Sequence, residues 1–277
     1  MHSHAFVTGY PVTHSRSPLI HRYWLEKYKL TGDYDPVEVA PENFENFIKT
    51  LKKQGFCGGN VTLPHKEAAF QLADKKDDVA LKIGAANTLW FEGETLCASN
   101  TDSYGFSANL SEHYPNWGGE TALVLGAGGA SRAVIHALKE RGFERIILLN
   151  RTKERAVQLG HHFNIDVGDW ENKNDYVKHA DFIVNTTSLG MENHLTKPND
   201  ELFIDLSKAK PNSLVTDIIY TPLLTPILRE AKKYGLKSVD GLGMLLHQAV
   251  PGFEKWFGKT PEVTKELRQL ILKDLGL

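Results

Sequence analysis

Residues 122–131 read Ala122-Leu123-Val124-Leu125-Gly126-Ala127-Gly128-Gly129-Ala130-Ser131. Four apolar residues, the pattern of a strand buried on both faces, run directly into a glycine-rich turn. A helical pattern over residues 130–141 follows. Glycine allows a tight turn and lets the backbone approach a ligand closely. The free N–H groups and dipole of the following helix favour an anion such as a pyrophosphate. A glycine-rich string alone is a weak signal, but between a strand and a helix it stands where that mechanism works. Ser131 replaces the last glycine of the usual fingerprint with another small side chain.

On the C-terminal side the pattern stays regular. Residues 145–149 read as a second apolar strand, 152–163 as a helix, and 181–185 and 214–219 as further strands. A helix over 226–234 and a short strand over 237–239 follow. Apolar strands separated by helices indicate a parallel sheet covered on both faces. About 20 residues past the glycines, NAD-binding folds place a carboxylate on the ribose 2′-hydroxyl. Here that place holds Asn150-Arg151-Thr152, with Lys153 and Arg155 close behind. A carboxylate would repel a 2′-phosphate, whereas Arg151 offers a planar fork of donors and Thr152 a hydroxyl. NADP is therefore the expected cofactor.

The first third mixes the two periodicities. Strands are expected over 5–9, 34–39 and 58–63, and a hairpin over 88–91 and 95–98 around Glu92-Gly93-Glu94. One helix is expected to open with Ser17 as N-cap and Pro18 at its first position. Another spans 41–54, with Phe44, Phe47, Ile48 and Leu51 on one face, and a third runs from Pro64 to 73. Residues 102–111 read as the crossing between two halves and 240–243 as the return. Helices over 242–257 and 261–275 close the chain.

The chain has 277 residues, enough for one large or two modest domains. Its 32 basic and 34 acidic side chains nearly cancel. No basic tract interleaved with aromatics is present, which argues against nucleic acid as a partner. No apolar run approaches about 18 residues and no leader-like segment opens the chain, so no membrane association is expected and a cytoplasmic protein is. Cys57 and Cys97 lie outside any CxxC pattern and read as free thiols. Twelve histidines include no HExxH arrangement, and His161 and His162 are neighbours that cannot share a helical face, so no metal is expected.

Four polar clusters stand at strand ends: Ser15-Arg16-Ser17, Asn60-Val61-Thr62-Leu63-Pro64-His65-Lys66, Ala86-Asn87-Thr88 and Asn100-Thr101-Asp102. At these residues the chain resembles the shikimate dehydrogenase family. The same holds for Gly84–Thr88, Gly126–Arg132, Asn150-Arg151-Thr152, Asn185-Thr186-Thr187-Ser188, and the stretches 217–222 and 240–249. The strings keep the family's order and spread over nearly the whole chain.

The resemblance implies a two-domain α/β enzyme. A split N-terminal α/β substrate-binding domain would occupy 1–103, with helices over 240–277 returning to it. A Rossmann-type doubly wound parallel sheet would bind NADP over 104–239. The implied reaction is the reversible NADPH-dependent reduction of 3-dehydroshikimate to shikimate, by a monomer or homodimer. By position, Lys66 and Asp102 correspond to the catalytic pair. Ser15, Ser17, Thr62, Asn87, Tyr220 and Gln248 correspond to substrate contacts. Gly126, Ala127, Gly128, Gly129, Ala130, Asn150, Arg151, Thr152, Arg155, Thr186, Ile219, Gly241 and Met244 correspond to cofactor contacts.

The implied pair makes chemical sense. A carbonyl that receives hydride develops negative charge on oxygen, and an ammonium both stabilises that charge and supplies the proton. Lysine, with a reference pKa of about 10.4, is an acid at neutral pH. Asp102 would hold the ammonium in place. His65, next to Lys66, is the competing acid, but neighbours on a helix face different directions. Two alternatives are a quinate-accepting relative with relaxed cofactor choice, and a non-catalytic nucleotide-binding module. The latter predicts loss of the acid–base pair, and both residues are present.

Overall fold

The computed structural model describes residues 2–191 and 204–277. The chain forms two compact units, one of Met1–Gly105 with Leu246–Leu277 and the other of Phe106–Leu245.

The first unit contains β1 (Ser3–Gly9), α1 (Ser17–Lys27), β2 (Gly32–Glu38), α2 (Phe44–Thr50), β3 (Gly58–Val61) and α3 (Lys66–Leu72). It continues through β4 (Lys75–Lys76), α4 (Asp78–Ile83), β5 (Thr88–Glu92) and β6 (Thr95–Ser99) to the start of α5 (Asp102–His113). Its sheet has the order β2-β1-β3-β5-β6-β4 and is mixed. β1 runs parallel to β2 and β3, whereas β5 is antiparallel to both β3 and β6. One core cluster gathers Phe6, Phe44, Phe47, Leu51 and Leu89. Another joins Ala5, Val7, Tyr34 and Trp256.

Several expected boundaries move, each for a local reason. Ser17 is not the N-cap of α1: it is the first helical residue, and Arg16 precedes it in αR conformation. The capping hydroxyl comes from Ser15, whose Oγ accepts the Ser17 N–H at 3.3 Å. Pro64 does not open α3. His65 N–H first closes a turn on the Thr62 carbonyl at 3.0 Å, and the helix begins at Lys66. The stretch 41–54 splits into a 3₁₀ turn, Pro41–Asn43, and α2, which ends at Thr50. β3 stops at Val61. The last helix starts only at Lys265, where the Thr264 hydroxyl accepts the Leu267 N–H. The short α4, unforeseen, is capped by Asp77, which accepts the Ala80 N–H at 2.8 Å.

The second unit holds β7 (Thr121–Leu125), α6 (Gly129–Arg141), β8 (Arg145–Leu149), α7 (Lys153–Phe163), β9 (Asp166–Val167) and α8 (Lys173–Val177). β10 (Phe182–Asn185), β11 (Leu214–Asp217), α9 (Pro226–Lys233) and β12 (Lys237–Val239) follow. β11 ends two residues before the expected boundary, because Asp217 turns its carboxylate onto the Ile219 N–H. Then come α10 (Leu242–Phe257), which runs past the end of this unit, and α11 (Lys265–Asp274) in the first. The sheet order is β12-β11-β10-β7-β8-β9 with every pair parallel. That is the doubly wound order, reversing between β7 and β10. Alternate strand residues feed two apolar clusters: Ala122, Val124 and Leu148 on one, Leu123, Leu125 and Ile147 on the other. Burial on both faces explains why these strands read as unbroken apolar runs.

Candidate active site

In a doubly wound sheet, ligands bind beyond the carboxyl ends of the strands where the order reverses. Gly126 leaves β7 and Thr186 leaves β10 at that point. Gly126 has φ +108°, and a Cβ there would stand 2.8 Å from Thr187 Cγ2 and 2.9 Å from Thr186 Oγ1. Only glycine fits. The Thr186 hydroxyl donates to the carbonyls of Leu125 at 2.8 Å and Gly126 at 3.0 Å, so it fixes the turn. Asn150 fixes it from the other side. Its Oδ1 accepts the Ala127 N–H at 3.0 Å, and its Nδ2 donates to the Thr152 carbonyl at 2.8 Å. Ser131 is fully buried and donates back to the Gly128 carbonyl at 2.5 Å, so the substitution for glycine leaves its hydroxyl satisfied.

Past this frame, α6 begins at Gly129 with no side-chain cap. Gly128 and Gly129 are exposed, and a Cβ on Gly128 would meet nothing within 4 Å. An uncapped helix terminus with open space before it suits a pyrophosphate. At the end of β8, Arg151, Thr152 and Arg155 are exposed. Lys153 is engaged by Asp169 at 2.6 Å, whereas neither Arg151 nor Arg155 has an ion pair among the described residues. These residues fit a 2′-phosphorylated dinucleotide. The remaining cofactor candidates are less open. Ala127 and Ala130 are half-buried. Ile219 is buried, Gly241 packs so closely that a Cβ would lie 2.3 Å from the Ile218 carbonyl oxygen, and Met244 belongs to the core.

Ile219 and Tyr220 stand on the loop after β11, shaped by a buried carboxylate. Asp217 accepts the Ile219 N–H at 3.0 Å and the Thr225 hydroxyl at 2.7 Å, and each of its oxygens lies 3.1 Å from the Asn185 amide nitrogen. Burial pushes this carboxyl up to about 6, although its donors favour the charged form.

In the first unit, the Lys66 ammonium donates to Asp102 Oδ2. The Lys66 and Asp102 side chains are 19% and 12% exposed, open enough to meet a ligand and shielded enough to matter electrostatically. Asp102 opens α5 and Lys66 opens α3, so two helix starts bring them together. The other Asp102 oxygen accepts from Asn87 Nδ2 at 2.9 Å, and the Asp102 N–H donates to Asn100 Oδ1 at 3.1 Å. Gln248 Oε1 lies 3.5 Å from Asn87 Nδ2. Three of the four polar clusters thus meet at one place, joined by Gln248.

Ser15 and Ser17 form their own turn at the start of α1, where the Ser17 N–H donates to Ser15 Oγ at 3.3 Å. Thr62 is half-buried beyond β3, its N–H on the Thr8 carbonyl at 2.8 Å. Tyr220 belongs to the other unit. His65 is sequestered: it is 2% exposed, stacked on Phe44 at 4.2 Å, with Nε2 2.7 Å from the Val39 carbonyl. A ring so placed holds α3 against α2. Residue periodicity gives no sign of Tyr34, which looks like any strand tyrosine. Asn60, an amide inside a strand where Asn is disfavoured, is a signal available in the sequence.

Three family models match the chain in succession. They are the shikimate dehydrogenase substrate binding domain over residues 7–89, shikimate / quinate 5-dehydrogenase over 109–243, and the shikimate 5′-dehydrogenase C-terminal domain over 241–271. A shikimate dehydrogenase (NADP(+)) of Bartonella quintana (strain Toulouse) is 60% identical over 276 residues, 99% of this chain and 94% of that protein. The shikimate 5-dehydrogenase of Thermus thermophilus, crystallised with NADP(H) and shikimate, superposes with a TM-score of 0.84 at 34% identity. The match covers 98% of this chain and 99% of that one. The quinate dehydrogenase of Corynebacterium glutamicum, solved with NAD, gives 0.89 at 26% identity over 98% and 99%.

Proposed function

The chain belongs to the shikimate dehydrogenase family, and from that membership we propose that it catalyses the reversible NADPH-dependent reduction of 3-dehydroshikimate to shikimate. The observation that carries the proposal is the part-buried Lys66–Asp102 pair, with Asn87 on the second carboxylate oxygen. NADPH, when bound, supplies the hydride. Lys66 stabilises the charge that develops on the carbonyl oxygen and gives it the proton; in the reverse direction it takes the proton back. Asp102 is an acceptor on both oxygens, which suits an ionised carboxylate that anchors the ammonium.

Ser15, Ser17, Thr62, Asn87, Tyr220 and Gln248 supply hydroxyls and amides for the substrate's polar groups. Gly126, Ala127, Gly128, Gly129 and Ala130 take the pyrophosphate. Asn150, Arg151, Thr152 and Arg155 take the adenosine 2′-phosphate end, and Thr186, Ile219, Gly241 and Met244 the nicotinamide side. No described helix is long and apolar enough to cross a membrane, and we place the enzyme in the cytoplasm, as a monomer or homodimer.

The test is NADPH oxidation, followed by absorbance, on adding 3-dehydroshikimate. Folded protein that binds NADPH yet shows no turnover overturns the assignment. The likeness to a quinate dehydrogenase solved with NAD supports one second reading, oxidation of quinate with NAD. Arg151, exposed at the end of β8, favours NADP, and the paired serines Ser15 and Ser17 favour shikimate. A kcat/KM higher for quinate with NAD than for shikimate with NADP would reverse that order.

A further inference from the structure

The polar chain that holds Asp102 does not stop at Asn87. Asn60, in the middle of the first unit's sheet, is 5% exposed and hydrogen-bonds with both ends of its amide. Its Nδ2 donates to the Asn87 carbonyl at 3.1 Å and to Thr88 Oγ1 at 3.2 Å, and its Oδ1 accepts from the Tyr34 phenol at 2.6 Å. Thr88 in turn donates to Asn87 Oδ1 at 2.9 Å, which also receives the Thr101 N–H at 2.8 Å.

The sense of the amide links is forced, whereas the Thr88 hydroxyl, 3.1 Å from Thr101 Oγ1, can donate to Asn87 Oδ1 or to Thr101. A backbone N–H can only donate, so Asn87 presents oxygen to Thr101 and nitrogen to Asp102. A backbone carbonyl can only accept, so Asn60 presents nitrogen to Asn87 and oxygen to Tyr34. Tyr34 must therefore donate, and the fixed links run from the Tyr34 hydroxyl to Asn60, from the Asn60 amide to the Asn87 carbonyl, and from the Asn87 amide to the Asp102 carboxylate, with Thr88 bridging Asn60 and Asn87. Tyr34 reaches Asn60 across β1, where its register partner is the small, fully buried Ala5. Polar links through a sheet core are costly unless every member is paired, and an apolar filling would serve stability as well. The chain ends on the Lys66–Asp102 pair and begins at the fully buried Tyr34.

We propose that Tyr34 is a positioning residue for the proton-transfer pair. Fully buried behind the site, it fixes the Asn60 amide and Thr88, and through Asn87 it sets the orientation of the Asp102 carboxylate that holds Lys66. The proposal rests on the roles given above to Lys66 and Asp102.

Tyr34→Phe removes only the hydroxyl and keeps the ring that stacks on His21 at 3.9 Å. It leaves Asn60 Oδ1 without its donor. We expect kcat with 3-dehydroshikimate to fall about three- to tenfold, the effect of one buried hydrogen bond, with NADPH affinity unchanged. In an Asp102→Asn background the same substitution lowers kcat no further, because its effect passes through Asp102. Equal fold-losses in the two backgrounds, or a lower melting temperature with unchanged kcat, overturn the proposal. Should Tyr34→Phe fail to fold, Thr88→Val, which breaks the chain one link from Asn87, is read in the same cycle. A parent enzyme without turnover overturns the proposed function. A parent with turnover and a Tyr34→Phe variant identical to it overturns the positioning role alone.

Discussion

The two units bury the polar side chains around their candidate sites in different ways. In the nucleotide unit, β7 and β8 are apolar along their buried length, and the polar side chains Asn185, Asp217, Thr186 and Asn150 stand at or just beyond strand ends. They brace loops, and the proposed cofactor would face backbone N–H groups and the start of a helix. In the substrate unit a polar side chain enters the sheet itself: Asn60 lies inside β3, next to Thr88 at the start of β5, each nearly without exposure. A pyrophosphate is a spread charge that any uncapped helix start can receive. A carbonyl that must be protonated needs one ammonium at one place, and holding it takes locked side chains several layers deep. On the proposed roles, binding is built beyond the strand ends of one sheet, and proton chemistry is built on side chains that reach into the core of the other.

Substitutions in the two units should therefore separate two kinetic quantities. The largest effect belongs to Lys66→Ala, which removes the proposed general acid and should lower kcat by about 10²–10⁴ with little change in KM. NADPH affinity, measured by fluorescence titration, should stay at the parent's value. Turnover within a few-fold of the parent would take Lys66 out of the proton path. His65 offers no substitute acid, since its ring is stacked on Phe44 with Nε2 2.7 Å from a backbone carbonyl.

The same contrast decides what can be inferred from sequence. The glycine turn is a local feature: strand, Gly126, Gly128, Gly129 and helix are contiguous, so its physics follows from periodicity and backbone freedom. The parallel order follows from the apolar runs in a similar way. The proposed catalytic pair spans residues 66 and 102 and is backed by residues 87, 60 and 34, so no window of sequence contains it. The family resemblance supplies Lys66 and Asp102 by position. It says nothing of Tyr34, whose role depends on the direction of hydrogen bonds between four strands and loops. Helix starts in the first unit depart from expectation for a related reason. Ser15 caps where Ser17 is expected, and a turn on Thr62 delays α3 to Lys66. Both depend on which of several adjacent polar groups the tertiary fold leaves free.

The complementary substitution is Arg151→Ala in the nucleotide unit. Arg151 is exposed at the end of β8 without an ion pair among the described residues, so its removal should spare the fold. We expect NADPH binding to weaken by about 1.5–3 kcal/mol, the range for hydrogen bonds to a charged group, while NADH binding stays unchanged. kcat at saturating NADPH should be close to the parent's. Equal losses for both nucleotides would place Arg151 on a part of the cofactor that the two share, and the 2′-phosphate assignment would fall.

The smallest effect tests the contrast through stability. Each unit buries a titratable group that burial shifts strongly, and the two shifts act in opposite directions with pH. In the substrate unit His21 is fully buried among Tyr34, Trp24, Phe253 and Trp256, and burial pushes it down to about 3 from 6.5. Below pH 6.5 the unfolded chain takes up a proton that the folded chain refuses, so this stability is present above 6.5 and is lost as pH falls towards 3. Between pH 7 and 5 the loss is about 2 kcal/mol. In the nucleotide unit burial raises Asp217 to about 6 from 3.8. There the folded chain binds the proton first, so its stabilisation is complete below 3.8 and disappears as pH rises through 6. Over the same interval from pH 7 to 5 it gains about 1 kcal/mol. Urea unfolding at the two pH values should show His21→Leu losing less stability on acidification than the parent, and Asp217→Asn losing more. Both variants should change the difference between the two pH values, whatever they do to stability at pH 7. A His21→Leu protein with the parent's full acid loss would mean that His21 takes up its proton in the folded state, and the aromatic enclosure behind Tyr34 would then be open to water.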